Sequence, residues 1–361
     1  MARVTVVGAG MMGTALTFPL ADAGHEVWLV GTHLDDAIVD ALGRTRVHPG
    51  LGVALPAGVE VQPFAAAGAA IRAAEVVGVG VSSAGVGWAG EVLAAHARPD
   101  VPVVMITKGL ALRDGDLELL PDALARRLPP RSCGGPAAPV AVAGPCIAGE
   151  LARRVPSAVV LTGRDGAILE RLAGLLTTPY YHPFVDRDVV GVEACAALKN
   201  AYAMGIAFGA GLHERAGGAP GSVAMHNYEA AVFAQSVHEM QMLVRALGGV
   251  PATAAGLAGV GDLTVTCNGG RTGRFGKLLG SGLGVARARA ALPGATLECL
   301  EILAVLRGAL PCLERAGRLA AADLPLLGHL AAVALDDAPV AVPFARFFGR
   351  NGSRFKTECA P

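Results

Sequence analysis

The chain has 361 residues, about twice the usual size of one domain, so two domains are expected, each with a large core. Its 30 basic and 30 acidic residues balance and form no long run of one sign, which argues against a nucleic-acid or membrane-surface partner. We therefore expect the partner to be a small molecule.

Three further features of the composition narrow the class of protein. The apolar stretch best suited to span a bilayer, Val189 to Leu212, contains Glu193 and Lys199, so it is interpreted as a buried helix and no membrane insertion is expected. The amino terminus opens on a strand pattern and lacks the order of segments typical of a secretory signal, which predicts a cytoplasmic location. The seven cysteines show neither CxxC nor metal-ligand spacing, which predicts reduced thiols and no metal site.

The first half of the chain alternates short β-branched runs with Ala-rich helical segments. Strands are predicted at Val4 to Val7, Glu26 to Val30, Val76 to Val81, Val103 to Ile106 and Val140 to Ala143. Near-continuous apolar strands separated by helices indicate a parallel sheet covered on both faces. After about Asp188 the strand patterns cease and Ala/Leu segments with helical spacing follow. The sequence thus predicts an α/β domain over 1–188, an all-helical domain over 189–348 and a loose polar tail over 349–361.

The first strand leads directly into Gly8-Ala9-Gly10-Met11-Met12-Gly13, which has the spacing GxGxxG and precedes a helical pattern. Gly8 permits a tight turn, Gly10 lets a pyrophosphate approach the backbone, and Gly13 allows close packing of helix and strand. The helix start directs free amides and the positive end of its dipole at the phosphates. Strand, motif, helix and second strand in this order predict a Rossmann-type domain that binds NAD or NADP, with a structural glycine turn as the alternative.

The end of the second strand bears on which dinucleotide is bound. It continues into Gly31-Thr32-His33, where an NAD enzyme usually presents Asp or Glu to the ribose hydroxyls, so NADP is predicted as the preferred cofactor. Thr32 and His33 would tolerate a 2′-phosphate, and Arg44 or Arg46 would reach it. The alternative interpretation makes all four ordinary loop residues.

Two polar residues, Lys199 and Asn200, lie in the middle of a long, otherwise apolar helical segment. A buried lysine is costly unless it is paired or used, because desolvation disfavours its charged form. Reduction of a carbonyl needs a proton donor beside the oxygen, and a lysine can fill that role. From periodicity alone, a structural ion pair with Glu193 or Asp262 is an equally good interpretation.

The run from Glu193 to Asn200 resembles the E-x-x-x-A-L-K-N motif of the glycerol-3-phosphate dehydrogenase family, and the resemblance extends almost end to end. Other family-like blocks occur in family order: Gly8 to Leu16, Thr107 to Leu110, Gly144-Pro145 with Glu150, Gly256 to Leu263, Thr266-Cys267 and Gly269 to Arg271. The resemblance implies an NAD(P)-dependent oxidoreductase that acts on a CH-OH group. It would reversibly reduce dihydroxyacetone phosphate to sn-glycerol 3-phosphate, in glycerophospholipid metabolism.

The resemblance also implies roles for individual residues. Lys199 is the general acid and base, and Asn200 and Asp262 are the other catalytic residues, although an Asp that caps the following turn is the alternative for Asp262. Substrate binding falls to Lys108, Thr266, Arg271 and Thr272, of which Arg271 suits two-pronged binding of a phosphate. Cofactor binding falls to Gly8, Gly10, Met11, Met12, Gly13, Thr32, His33, Ser82, Ala148, Arg271 and Glu298. A homodimer is expected, since large helical domains in such dehydrogenases often associate.

Three departures from the family pattern leave the exact substrate open. Thr272 stands where the family usually has Asn, Gln235 where an Arg is expected, and Cys146 where Ser is usual. One alternative is a dehydrogenase of another phosphorylated polyol, sugar phosphate or hydroxy acid. Another is a non-catalytic module that senses the cofactor, against which the retention of the full set of catalytic residues argues.

Overall fold

The structure is a computed structural model that describes residues 1–220, 225–268 and 270–349. The strands are β1 (Arg3–Val7), β2 (Glu26–Val30), β3 (Val59–Gln62), β4 (Val76–Val79), β5 (Val103–Met105), β6 (Leu110–Arg113), β7 (Asp116–Leu119), β8 (Val140–Ala143), β9 (Ser157–Thr162) and β10 (Tyr181–Asp186). The helices are α1 (Met11–Asp22), α2 (Asp36–Thr45), α3 (Ala67–Ala73), α4 (Val86–His96), α5 (Leu120–Ala125), α6 (Ala148–Leu151), α7 (Gly166–Leu176), α8 (Val189–Arg215), α9 (His226–Ala246), α10 (Asp262–Cys267), α11 (Gly270–Gly280), α12 (Val285–Ala290), α13 (Glu298–Arg315) and α14 (Pro325–Asp336).

The chain divides into two compact units. Unit 1 comprises Met1–Ala111 and Glu118–Glu193, and unit 2 comprises Leu112–Leu117 and the chain from Ala194 onward. The division falls within α8. Of the predicted loose tail, residues 350–361 lie outside the described residues.

Unit 1 is built on an eight-stranded sheet with the strand order β10-β9-β8-β5-β4-β1-β2-β3. The predicted α/β domain followed by helices is confirmed, and each of the five predicted strands is present within two residues of its predicted bounds. The pairs are parallel except β8 with β9, which is antiparallel. The connection between these two strands contains only the four-residue α6, about 6 Å long, which is too short to cross a sheet face as the longer helices do.

The sheet is covered on both faces, as its apolar strands require. Val6 and Val7 are neighbours in β1 and are both buried, yet they belong to two different hydrophobic clusters, because successive side chains of a strand point to opposite faces. Phe18 and Leu29 join Val6 in the first cluster, and Ile71 joins Val7 in the second. Because both faces of the sheet are buried, the ends of its strands are the places where a ligand can bind.

In unit 2, helices α9, α11 and α14 approach α8, whose 27 residues span about 40 Å. Helix α11 approaches α8 closely enough to exclude side chains at two of its glycines. A Cβ at Gly276 would lie 2.2 Å from the Met204 carbonyl oxygen, and a Cβ at Gly280 would lie 2.3 Å from that of Phe208. Within the described residues, no helix is both long enough and apolar enough to cross a membrane.

A buried carboxyl caps the start of α14. Glu239 is fully buried and accepts hydrogen bonds from the backbone amides of Leu326 (2.7 Å) and Leu327 (2.8 Å), two of the orphan donors at a helix start. The Tyr202 hydroxyl (3.1 Å) and the Gln235 side-chain amide (2.8 Å) also donate to it. Burial is the main reason that the pKa of Glu239 is raised to about 7, against the lowering effect of these four donors.

Candidate active site and cofactor site

The turn after β1 is built for close backbone contacts. Gly8 has φ of +111°, and a Cβ there would lie 2.7 Å from the Gly80 carbonyl oxygen. A Cβ at Gly13 would lie 2.1 Å from the Gly8 carbonyl oxygen, and one at Gly80 would lie 2.8 Å from the Gly13 Cα. Sequence reasoning missed Gly80, which it placed inside the predicted strand Val76 to Val81, whereas the structure ends β4 at Val79. Three of these glycines therefore interlock, which positions the turn.

The side of the turn that would face a ligand is open. Among the described residues, and leaving out the chain neighbours of Gly10, no atom lies within 4 Å of a Cβ built on Gly10, and no side chain caps the start of α1. Met11 is 44% exposed and Met12 is half-buried at the same helix start. An uncapped helix start behind an open glycine turn is the arrangement that binds a pyrophosphate through backbone amides. The residues present thus fit a dinucleotide.

The loop after β2 holds an acidic residue that sequence reasoning passed over. Asp35 Oδ2 accepts hydrogen bonds from the backbone amides of Ala9 (3.0 Å) and Thr32 (2.8 Å). Thr32 is buried, and its hydroxyl accepts from the Leu34 amide (3.2 Å). Asp35 Oδ2 therefore links the loop after β2 to the glycine turn after β1 through hydrogen bonds.

His33 is part of an aromatic group in the same loop region. Its ring centroid lies 5.0 Å from that of Trp88, which in turn lies 5.3 Å from that of Phe64. Of the two arginines considered for a 2′-phosphate, Arg46 donates to the carbonyl oxygens of residues 56 (2.7 Å) and 59 (2.9 Å), and these bonds hold it there. Arg44 is exposed near the end of α2.

The remaining predicted residues of unit 1 follow other strands of the sheet. Ser82 is exposed after β4, Lys108 follows β5, and Ala148 begins α6 shortly after β8. Lys108 Nζ donates to the Gly144 carbonyl oxygen at 3.1 Å. Because β4, β5 and β8 are parallel neighbours, these residues gather at the carboxyl edge of the sheet, where open α/β sheets bind ligands.

In unit 2, Lys199 Nζ donates a hydrogen bond to Asp262 Oδ1. The two side chains are 11% and 2% exposed, so the ion pair is almost entirely buried. Of the two partners that periodicity left open, the structure thus pairs Lys199 with Asp262. A π-helical turn at Leu257–Gly261 delivers Asp262 to the start of α10, and a Cβ at Gly259 within it would lie 2.0 Å from the Ala254 carbonyl oxygen.

Two polar side chains of unit 2 lie beside Glu298. Asn200 Nδ2 donates to Glu298 Oε2 at 2.9 Å, and Arg271 Nη2 lies 3.9 Å from Glu298 Oε1. The Arg271 and Glu298 side chains are 40% and 49% exposed. Unit 2 thus has a buried pair suited to proton transfer and an exposed guanidinium suited to an anion.

The other predicted residues of unit 2 have local partners. The Thr266 hydroxyl donates to the Asp262 carbonyl oxygen (2.7 Å) within α10. Thr272 is buried and hydrogen-bonds the Cys299 thiol, whose pKa burial raises to about 12. Gln235, one of the departures, bonds Glu239 and accepts from the amide of residue 348 at 3.0 Å. The Gln235 departure therefore belongs to the network that caps α14.

Comparison with known proteins decides the family. The model of the NAD-dependent glycerol-3-phosphate dehydrogenase N-terminus matches residues 3–168, and the model of its C-terminus matches residues 188–342. The chain belongs to the NAD-dependent glycerol-3-phosphate dehydrogenase family. The resemblance seen in the sequence motifs is thereby confirmed.

Individual members of the family are similar over most of their length. The NADP(+)-dependent glycerol-3-phosphate dehydrogenase of Archaeoglobus fulgidus is 36% identical over 288 residues, which are 79% of this chain and 82% of that protein. The glycerol-3-phosphate dehydrogenase (NAD(P)+) of Serratia proteamaculans is 36% identical over 295 residues, 80% of each chain. The crystal structure of glycerol-3-phosphate dehydrogenase from Coxiella burnetii has a TM-score of 0.77 and 26% identity, covering 93% of this chain and 95% of that one.

Proposed function

We propose that this protein is an NAD(P)H-dependent glycerol-3-phosphate dehydrogenase that reversibly reduces dihydroxyacetone phosphate to sn-glycerol 3-phosphate. The observation that carries the proposal is the buried ion pair of Lys199 and Asp262, in a chain that matches the family in both of its parts. Relatives that are 36% identical over about four fifths of this chain are named glycerol-3-phosphate dehydrogenases.

Unit 1 would hold the cofactor. The open backbone at Gly10 and the uncapped start of α1 suit the pyrophosphate, and Gly8 and Gly13 keep the turn in place. The reduced nicotinamide supplies the hydride when it is bound. NADP is the preferred form in this proposal, because Asp35 Oδ2 is engaged by the amides of Ala9 and Thr32 and the relative from A. fulgidus is named NADP(+)-dependent.

Unit 2 would supply the acid and base. In the direction of reduction, the Lys199 ammonium donates a proton to the carbonyl oxygen as negative charge develops there. In the reverse direction, the neutral amine accepts the proton of the hydroxyl. Asp262 stabilises the charged form of Lys199 and orients its Nζ. The Lys199 ammonium is therefore positioned before the substrate reacts, in a site that little water reaches.

Arg271 would bind the phosphate of the substrate. Its guanidinium is exposed and presents parallel N–H groups that match two phosphate oxygens. Asn200 and Glu298 are bonded to each other beside it, which fixes the Asn200 amide for the substrate hydroxyls and leaves Glu298 available to the cofactor. The other proposed substrate contacts are Lys108, Thr266 and Thr272. The proposal also includes a cytoplasmic location and a homodimer.

The proposal is tested by mixing the purified protein with dihydroxyacetone phosphate and NADPH or NADH and following the loss of nicotinamide absorbance. Saturable oxidation that is faster with NADPH is expected. Lys199→Ala should lower kcat by about 10² to 10⁴-fold with cofactor binding intact, because it removes the general acid. The matched control is Lys277→Ala, which removes a half-buried lysine of unit 2 that pairs with Glu214.

Two outcomes would overturn parts of the proposal. Cofactor binding without turnover of dihydroxyacetone phosphate would assign a different phosphorylated substrate, which a panel of polyol and sugar phosphates would then identify. A Lys199→Ala variant as active as the Lys277→Ala control would remove Lys199 from the chemistry.

A further inference from the structure

The thiol of Cys299 is a buried polar group of unit 2 that the mechanism described so far does not use. Cys299 is 0% exposed and is the second residue of α13. Its sulfur is hydrogen-bonded to the Thr272 hydroxyl and also accepts from the backbone amides of Cys299 itself and Leu300. Burial raises the pKa of the thiol to about 12, so the sulfur keeps its proton at neutral pH.

These contacts decide which group donates in the bond between Cys299 and Thr272. Backbone amides can only donate, so the two amides engage the lone pairs of the sulfur. The proton of the thiol is then left to donate to Thr272 Oγ1. A threonine hydroxyl has one proton and two acceptor positions, so an Oγ1 that accepts from the thiol keeps its own proton for another acceptor. The pair can therefore form a short chain of donors, from the thiol to the hydroxyl and from the hydroxyl to a ligand.

The pair lies directly beside the residues that would face the phosphate and the cofactor. Thr272 follows Arg271 in α11, and Cys299 follows Glu298 at the start of α13. Across the same two helix starts, Arg271 Nη2 lies 3.9 Å from Glu298 Oε1. The bond between thiol and hydroxyl thus joins α11 to α13 one residue beyond Arg271 and Glu298, and it limits how far these two side chains can move apart.

We propose that Cys299 is a positioning residue for substrate binding, whose thiol donates to Thr272 Oγ1 and thereby directs the hydroxyl proton towards the phosphate that Arg271 binds. The inference rests on the proposed function, in which Arg271 and Thr272 contact the substrate. It also gives the departure at position 272 a physical basis. Threonine lacks the amide N–H groups of the usual asparagine, and a hydroxyl oriented by Cys299 supplies one donor in their place.

The kinetic test compares wild type with Cys299→Ala, Cys299→Ser and the control Cys312→Ala, which removes a half-buried thiol from the same helix. Cys299→Ala should raise the KM for dihydroxyacetone phosphate about three- to tenfold, the effect of one hydrogen bond, with little change in kcat. Cys299→Ser should stay close to wild type, because the serine hydroxyl can donate to Thr272 Oγ1 in the same way. A KM in Cys299→Ala no higher than in Cys312→Ala, or a Cys299→Ser variant as impaired as Cys299→Ala, would overturn the inference.

A double-mutant cycle shows whether Cys299 acts through Thr272 or only supports the fold. Thr272→Val keeps the shape of the side chain, removes its hydroxyl and should itself raise the KM. Adding Cys299→Ala to Thr272→Val should raise the KM no further, because the thiol then has no hydroxyl to orient. An equal rise in both backgrounds would assign the effect to packing around Cys299 and would refute the proposed role.

An infrared measurement that needs no turnover separates this inference from the proposed function. The S–H stretching band moves to lower frequency when a thiol donates a hydrogen bond. The band of Cys299 is obtained by subtracting the spectrum of Cys299→Ala from that of wild type, and that of the double variant from that of Thr272→Val, so that the other thiols cancel.

The band of Cys299 should lie at a higher frequency in Thr272→Val than in wild type, because the thiol has lost its acceptor. A band at the same frequency in both would overturn the inference, whatever substrate the enzyme uses. A band that moves in a protein without activity on dihydroxyacetone phosphate would support the donation from Cys299 to Thr272 and would refute only the proposed substrate.

Discussion

Replacing Glu239 with Gln isolates the free energy of one buried ionisation in unit 2. Burial raises the pKa of this carboxyl from 4.5 to about 7 in the folded protein, so between these values the folded state binds more protons than the unfolded chain. The stability that the protonated group contributes is therefore complete below pH 4.5 and is lost as the pH rises through 7. With about 1.4 kcal/mol for each unit of pKa, the loss between pH 5 and pH 8 is about 2 to 3 kcal/mol. Gln does not ionise, so the stability of wild type relative to Glu239→Gln should fall by this amount.

Urea unfolding followed by far-ultraviolet circular dichroism at pH 5, 6, 7 and 8 measures the effect. Taking the difference between the two proteins cancels every other titrating group, Glu193 included. Both tryptophans, Trp28 and Trp88, lie in unit 1, so their fluorescence shows whether that unit unfolds in the same transition. A difference in stability that is constant with pH, or that grows in favour of wild type at high pH, would show that the reasoning about this carboxyl is wrong.

Three further substitutions have definite expected outcomes. Gly10→Ala should leave the melting temperature unchanged, because the space around a Cβ at this position is open. The same substitution should weaken cofactor binding about tenfold or more, and unchanged affinity in a nicotinamide-fluorescence titration would contradict this. Gly259→Ala should lower the free energy of unfolding by about 1 to 3 kcal/mol, since its Cβ would lie 2.0 Å from the Ala254 carbonyl oxygen, and thermal unfolding would show it. Arg271→Lys should raise the substrate KM about tenfold with little change in kcat, because lysine cannot make the two-pronged contact with the phosphate. The control Arg307→Lys, at an exposed ion pair with residue 336, should leave the steady-state kinetics unchanged.

The strands show where sequence patterns suffice and where they do not. β1, β2, β4, β5 and β8 are short runs of β-branched residues, so the pattern located them. β9 contains the run Ala-Val-Val-Leu and carried a usable signal that was missed. β10 contains Pro183, which argues against a central strand, but β10 is the edge of the sheet, where a proline is tolerated.

The site shows a similar division. The order of motifs indicated Lys199 and Asp262, but periodicity alone did not decide whether Glu193 or Asp262 was the partner. Glu193 lies six residues before Lys199, a spacing that puts two side chains on different faces of a helix, so helix geometry would have favoured Asp262. The roles of Asp35 and Gly80 depend on contacts between distant segments, which no local pattern carries.

The contacts of the glycine turn also bear on how such a site changes over evolutionary time. Gly8, Gly13 and Gly80 meet at backbone atoms that every amino acid has, so a substitution at one of them is not rescued by changing another. Selection for folding alone should preserve all three. Gly10 has open space on its Cβ side, so in the proposed function the bound cofactor, and not the packing of the fold, is what requires glycine there. In a lineage that no longer binds the cofactor, we expect position 10 to vary while Gly8, Gly13 and Gly80 remain glycine. A relative with these three glycines and another residue at position 10 would therefore keep the fold without the chemistry.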